Sequence, residues 1–510
     1  MEEQMEMVIP LLKEEYWYGG YVYGAEKMPV APDQEQVFDF YRNETPNQGA
    51  PLLVSSRGRY LWGDNGFRAE IKSGKMRING NVELHEGFQN LRGAYLDAMT
   101  HHFPFRKISL NKSFFETPVY NTWIELTFNQ NEKDILNYAG DILKNGLPPG
   151  ILMIDDGWSD YYGKWIFNKE RFPHAEEMIH KLHQMGFMVM LWMCPYVTPD
   201  TVCYREACEK GYLIRREDGD PLIIKWWNGY SAALDLTNPS AVKWLEDQLG
   251  ELCTIGIDGF KFDGGDSSYY GVDQRSMENA GPDEMSRRWC LLGEKYALNE
   301  FRAGWKAGGM SLIQRLCDKP HSWGADGIQA LIPDILAQGI MGMPFGSPDM
   351  IGGGEYLNFR ENSCNLDEEL FVRHSEIACL MPVMQFSAAP WRVLDRESFE
   401  KVKNSIRVRK ETLSYLMTCI GETEKTGEPV IRYMEYEFPH EGMSQITDQF
   451  MLGEKLLVAP VCEKGKNGRH VVIPKGLWER NGEIISGCGK EQFIRTEKGI
   501  PVMLWKKDGE

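Results

Sequence analysis

The chain has 510 residues, 42% of them apolar and 25% charged, which excludes an extensively disordered protein and, at this length, calls for two to four domains. Its 74 acidic against 56 basic side chains leave a formal charge of −18, a field that repels nucleic acid and anionic membrane surfaces and favours a neutral or cationic small partner.

The opening segment, MEEQMEMVIPLLKEEYW, is acidic and lacks the basic-then-apolar layout of a signal peptide. The longest apolar run, Phe187–Val197, is far short of the roughly 20 residues needed to cross a bilayer. A soluble, cytoplasmic protein without a membrane partner is therefore expected. The eleven Cys are scattered, and the pairs Cys203/Cys208 and Cys317/Cys364 fit neither a CxxC metal site nor a small disulfide framework, so free thiols are expected.

Residues 1–110 contain short aromatic and β-branched runs broken by turn signals, as in YWYGGYVYG and AEIKSGKMRINGNVEL, and predict an antiparallel β domain. From 111 to about 420 short apolar strands alternate with helical segments. In order these are TWIELTF, a helix over 133–146, GILMIDDGW, a helix over 174–185, GFMVMLWMCPYV, a helix over 239–253 and GFKFDGG. A helix over 283–302 follows, then MSLIQRL, a brief segment near WGADG, a helix over 328–338, MGMPFGSPD, a helix over 366–380 and PVMQFSA. Eight such units predict an α/β fold of the (β/α)8 TIM-barrel type, with a doubly wound open sheet as the alternative. Beyond 421, GEKLLVAPV, GRHVVIPKGLWE and GIPVMLWKK predict a C-terminal β domain running to residue 510.

In a parallel barrel the working side chains lie at the C-terminal ends of the strands. Those ends carry Asp155 and Asp156, Trp192, Lys261 and Asp263, Arg315, Asp326 and Asp349. Clustered acids repel one another and lose solvation, so their presence asks for a reason. Helix caps and turns are the structural explanation, to which Asp266 and Asp349 are the most open. A Mg²⁺ or Ca²⁺ site is a second, but no DxDxDG loop or HExxH is present and the ten His form no ligand pair with clear spacing. The third is glycoside hydrolysis by two carboxyl groups, one ionised to attack the anomeric carbon and one protonated to release the leaving oxygen. Asp263, with Lys261 two residues away on the same strand face, suits the first; Asp326, beside Trp323 in SWGADG, suits the second. Fifteen Trp and 22 Tyr supply flat rings of the kind that stack on sugars, with Trp192 the leading candidate and Trp158, Trp226 and Trp227 open equally to core packing.

The run IDDGWSDYYGKWIFNKERFPHAEEMIHKLHQMGFMVMLWMCPYV, together with GFKFDGGD, SWGAD, MPFGSPDMIGGG and GEKLLVAPV…VVIPKGLW, resembles family 31 of the glycoside hydrolases over nearly the whole chain. GAPLLVSSRGRYLW resembles the end of that family's N-terminal β-sandwich, here abbreviated. The resemblance implies Asp263 as nucleophile and Asp326 as acid/base. It further implies that Asp155 or Asp156 holds sugar hydroxyls and Arg315 stands beside the reacting ring, with no metal, no organic cofactor, a carbohydrate substrate and room for a homo-oligomer; Trp192, Lys261, Trp323 and Asp349 are expected to bind substrate with them. Lys261 stands where α-glucosidases of the family carry Trp, GGD follows the acid, and MQFSAAPW lacks the His that many members place after strand eight. With IDDGW and KxD these departures resemble α-galactosidases of the same clan. The expected function is a retaining exo-α-glycosidase leaning towards α-galactosides. The alternatives are an α-glucosidase or α-xylosidase of the family, a non-catalytic sugar-binding descendant, or a metal-dependent hydrolase.

Overall fold

The structure, a computed structural model, describes residues 6–106, 110–355 and 366–507. Eight short strands follow one another through its middle: β1 (Val119–Asn121), β2 (Ile151–Ile154), β3 (Met188–Met193), β4 (Gly259–Phe262), β5 (Leu298–Phe301), β6 (Ile313–Arg315), β7 (Gly346–Ser347) and β8 (Gln385–Phe386). They lie in the order β7-β6-β5-β4-β3-β2-β1-β8, each pair parallel. A parallel bridge from Ile351 to Phe386 links the two ends, so the sheet closes into the expected (β/α)8 barrel. Its strands are covered on both faces, which is why ILMI and MVMLWM read as continuous apolar runs and not as alternating ones.

Helices Glu132–Lys144, Ala175–Gln184, Pro239–Thr254, Pro282–Gly293, Leu331–Ile340 and Glu368–Ala378 occupy the connections. Side-chain caps start several of them where the sequence offers Asn or Asp: Asn131, Asn238 and Asp367 each accept a first-turn N–H.

Three element expectations are corrected. TWIELTF is not the first barrel strand. That strand is Val119–Asn121, and Asn121 Oδ1 then accepts the Trp123 N–H at 2.8 Å, turning Trp123–Leu126 into a short helix. The helix expected over 283–302 stops at Gly293, and residues 298–301 form β5. Gly293 lies so close to the strands that a Cβ there would sit 2.3 Å from the Phe301 ring. The apolar run thus belongs to two elements packed on each other, which one periodicity cannot separate. WGADG is a loop, not a strand.

Ahead of the barrel, two sheets face each other. One orders Glu6–Pro10, Lys75–Asn79, Arg68–Lys72 and Gln36–Asp39. The other orders Gly304–Trp305, Gln48–Ser55, Arg59–Trp62 and Glu83–Glu86, with Trp17–Tyr21 paired to Gln48–Ser55. Trp17, Phe38, Phe40, Leu53, Leu61 and Phe67 fill the space between them. Gly304–Trp305, on the connection that leaves β5, pairs in parallel with Gln48 and Gly49. This clasp holds the loop before residue 48 over the mouth of the barrel. After the helix Arg396–Thr426, a six-stranded sheet and a two-stranded ribbon end the described chain. Among the described residues no helix is long and apolar enough to cross a membrane. Cys203, Cys208 and Cys317 are free thiols, while Cys364 lies outside the described residues.

Candidate active site

Strand β4 explains GFKFDGG. Its ladder ends as the Asp263 N–H donates to Met193 O at 2.9 Å. Gly264 and Gly265 then take φ of +67° and +72°, a region that side chains disfavour. A Cβ at Gly265 would also stand 2.6 Å from the Trp289 ring. The backbone so folded returns the Gly264 N–H to Asp263 Oδ1 at 2.9 Å. The glycines curl the main chain around the carboxylate.

Asp263 is buried among cations. Its Oδ1 accepts from Arg302 Nε at 2.9 Å, its Oδ2 accepts from Trp192 Nε1 at 3.1 Å, and Lys261 Nζ stands 3.6 Å from Oδ2. Burial alone would raise its pKa; Arg302, then Lys261 and Arg315, outweigh burial and hold the carboxyl well below the usual range. Asp263 is therefore ionised at neutral pH. Asp266, which looked open to a capping role, makes no cap bond. Its two oxygens instead accept from Arg302 Nη1 and Nη2 at 2.7 and 2.6 Å, which fixes the guanidinium in front of Asp263.

The two acids that end β2 have separate partners. Asp155 Oδ2 accepts from Lys261 Nζ at 2.7 Å. Asp156 Oδ2 accepts from Tyr162 Oη and Asn228 Nδ2 at 2.8 and 2.7 Å. Burial, with Asp155 adding, pushes Asp156 up to about 7 against those two bonds.

These side chains open into one cavity of about 400 Å³, within the range of small-molecule sites. Of the residues singled out from sequence, Asp155, Asp156, Trp192, Lys261 and Asp263 line it. Trp192 is 2% exposed and serves Asp263 through its indole N–H.

Four of the expected residues stand elsewhere. Arg315, 1% exposed, lies beneath the cavity and donates through Nη1 to Asp318 Oδ1 at 2.7 Å and to Asp349 Oδ1 at 3.2 Å. Asp349 is buried with it and accepts the N–H groups of Lys319 and Gly354 at 2.7 and 2.9 Å, the work of a turn holder. Burial, then the Asp318 charge, pushes Asp349 up to about 7, with Arg315 opposing. Trp323 donates its indole N–H to Asp367 Oδ2 at 2.9 Å and is absent from the cavity lining. Asp326 is exposed, accepts from Ser322 Oγ at 2.9 Å, and opens onto an adjoining cavity of about 640 Å³. The expected meeting of Asp263 and Asp326 in one cavity lining is not found: the loop after β6 turns at residues 320–324 and sets Asp326 on the adjoining cavity. Asp318, eight residues earlier, is the carboxylate this loop brings to the cavity, and it borders the adjoining one as well.

Arg302 and Tyr269 were not foreseen. Arg302 directly follows a buried strand, the same signal that marked Asp155 and Asp263, but the helix expected there concealed it. Its guanidinium lies 5.0 Å from the Trp227 ring, with Tyr269 edge-on at 5.9 Å. Trp227 is 46% exposed and offers an open aromatic face at the mouth. Tyr23 and Pro46 also line the cavity, so the N-terminal domain contributes to it despite its short length. Pro46 O accepts from Arg302 Nη1 at 2.5 Å, and Asn47 Nδ2 donates to Arg302 O at 3.0 Å. No local pattern announces contacts 255 or more residues apart.

Residues 119–307 match the glycosyl hydrolases family 31 TIM-barrel domain and residues 427–507 the family 31 C-terminal domain, together more than half of the chain. The chain is 34% identical over 374 residues to the myogenesis-regulating glycosidase of Mus musculus, covering 71% of this chain and 52% of that one. It is 24% identical over 494 residues to alpha-xylosidase XylQ of Lactiplantibacillus pentosus, covering 91% and 63%. The chain therefore spans between about half and two thirds of these curated relatives. In fold it is similar to a family 31 dextranase of Flavobacterium johnsoniae, with a TM-score of 0.85, 17% identity, and 99% of this chain and 67% of that chain covered.

Proposed function

The chain belongs to glycoside hydrolase family 31, and from that premise we propose that it is a retaining exo-α-glycosidase with Asp263 as nucleophile and Asp318 as acid/base. In the first step the Asp263 carboxylate attacks the anomeric carbon while the bond to the leaving oxygen breaks and Asp318 protonates that oxygen. A β-linked glycosyl ester remains. In the second step Asp318 takes a proton from water, the water oxygen attacks the same carbon, and the ester opens to regenerate the Asp263 carboxylate. Two inversions return the α configuration.

The observation that carries this reading is the unequal setting of the two acids. Asp263 is held ionised by Arg302 and Lys261. Asp318 shares one guanidinium nitrogen with Asp349, and Asp349 keeps its proton to about pH 7. Asp318, at the cavity wall beside this buried acid, is the carboxyl placed to serve the leaving oxygen. Arg315 and Asp349 position Asp318 from below and touch no substrate.

The leading substrate is a terminal α-galactoside, with Asp155, Asp156 and Lys261 holding sugar hydroxyls. The α-xyloside is the second reading, supported by the name of XylQ, and the α-glucoside stands beside it as a substrate of the same family. The cavity lining holds Asp155, Asp156, Asp263, Asp318 and Glu355 against Lys261 and Arg302, an excess of acids that favours a neutral sugar over an anionic one. A sugar-binding protein without turnover would not need the nucleophile held ionised. Assaying nitrophenyl α-galactoside, α-xyloside and α-glucoside side by side, with the first-formed anomer followed by NMR, tests the reading. A β-configured first product, or no turnover of any α-glycoside, overturns it.

A further inference from the structure

We propose that Glu83, His85 and His102 form a binding site for a divalent transition cation, Zn²⁺ by its ligand chemistry, on the N-terminal domain. Glu83 and His85 lie two residues apart on Glu83–Glu86, the edge strand of its sheet, and so project from the same face. His102 ends the helix Leu91–His102, which packs beside that sheet. One ligand atom from each of the three residues lies within 4.8 Å of the others, and His85 Nε2 is 3.1 Å from Glu83 Oε2.

Both imidazoles are held by aromatic neighbours. Tyr60 stacks on His85 with ring centroids 4.4 Å apart and planes 6° apart, and Trp62 stacks on His102 at 4.4 Å and 20°. His102 Nε2 is buried and has no hydrogen-bond partner among the described residues. A buried ring nitrogen without a partner is costly, and a cation between it and the strand would supply one. Tetrahedral Zn²⁺ with bonds of about 2.0–2.1 Å needs ligand atoms about 3.4 Å apart; His85 Nε2 and Glu83 Oε2 already lie 3.1 Å apart, so His102 is the ligand that closes on the pair.

Two imidazoles and one carboxylate select Zn²⁺ and its neighbours in the transition series over Mg²⁺ or Ca²⁺, which take oxygen ligands. Three protein ligands leave a position for solvent. His101, its ring 6.3 Å from those of both His85 and His102, is a further imidazole at hand. None of these residues lines the candidate active site, so the cation acts as a clamp between the edge strand and the helix, and not as a catalyst. The separation of residue 102 from residues 83 and 85 explains why sequence spacing shows no ligand pair.

The test is titration of the chelator-stripped full chain with ZnCl₂ by calorimetry, with Co²⁺ absorption reporting the coordination geometry. The wild type is expected to bind one equivalent and to melt at a higher temperature with Zn²⁺ than without. Glu83→Gln, an exposed change that leaves the helix intact, and His102→Asn are each expected to weaken binding by about tenfold or more. Absence of stoichiometric uptake by the wild type, or equal uptake by the wild type and Glu83→Gln, overturns the proposal. Neither outcome depends on glycosidase activity.

Discussion

Replacing Arg302 by Met together with Asp266 by Asn removes the guanidinium that faces Asp263 without stranding a second buried carboxylate. In the wild type Arg302 Nε lies 2.9 Å from Asp263 Oδ1, which places the charge centres about 4 Å apart. At an effective dielectric of about 20 that attraction is about 4 kcal/mol, or about three pKa units. Asp263 must be ionised to attack, and its pKa now lies well below the usual range. Losing the cation raises it, so activity is lost from the acidic side as protons occupy the nucleophile at progressively higher pH. The acidic limb of kcat/KM, measured with a nitrophenyl α-glycoside, should therefore move upward by two to three units, into the range where Lys261 and Arg315 sustain ionisation without it. Circular dichroism and thermal melting establish that the double variant is folded. A folded variant whose acidic limb coincides with that of the wild type would show that Arg302 does not control Asp263, and the assignment of the nucleophile's environment would fail.

Asp263→Asn should abolish turnover and retain the fold, and azide should restore activity to a small-residue variant at that position; near-normal rates in Asp263→Asn refute the nucleophile. Asp318→Ala should lose about 10²- to 10⁴-fold in kcat/KM on substrates with a sugar leaving group, and far less on nitrophenyl glycosides, which need little protonation. Asp326→Asn should leave both substrates near wild-type rates, and the reverse ranking of these two variants would restore Asp326 as the acid. Asp156→Asn should stabilise the protein at neutral and alkaline pH. Burial raises the folded-state pKa of Asp156 to about 7, so the native state takes up a proton at Asp156 and this group's contribution falls as pH rises from about 4 to about 7. The unfolding free energies of variant and wild type, from denaturant titration, should converge below about pH 4 and separate above pH 7, by a few kcal/mol at most; a constant gap across pH refutes the buried-acid argument.

The strand ends of β2 and β4 were readable because their meaning is local. IDDGW and GFKFDGG each join a continuous apolar run to an acid and then to glycine, and both acid clusters reached the cavity. The same rule failed at β5 because the apolar positions of Pro282–Gly293 and Leu298–Phe301 merged into one apparent helix, hiding Arg302. It failed again after β6, where Asp318 and Asp326 share a connection without regular structure. Along RLCDKPHSWGAD neither period two nor period 3.6 distinguishes the acid that lines the cavity of Asp263 from the one that lines only the adjoining cavity.

By itself the sequence determined what depends on neighbours a few residues apart: the barrel, the β domains on either side, the family, and a strand that carries Lys261 and Asp263 on one face. Tertiary structure alone decided which carboxylates line the cavity with Asp263, which cation dominates it, and that Tyr23 and Pro46 join the lining. Electrostatic fields and cavity walls depend on distance through space, and the folded chain sets Arg302 beside Pro46 while placing Asp326 on the adjoining cavity. Those separations come from closure of the whole barrel against its N-terminal partner, a property that no short window of residues carries.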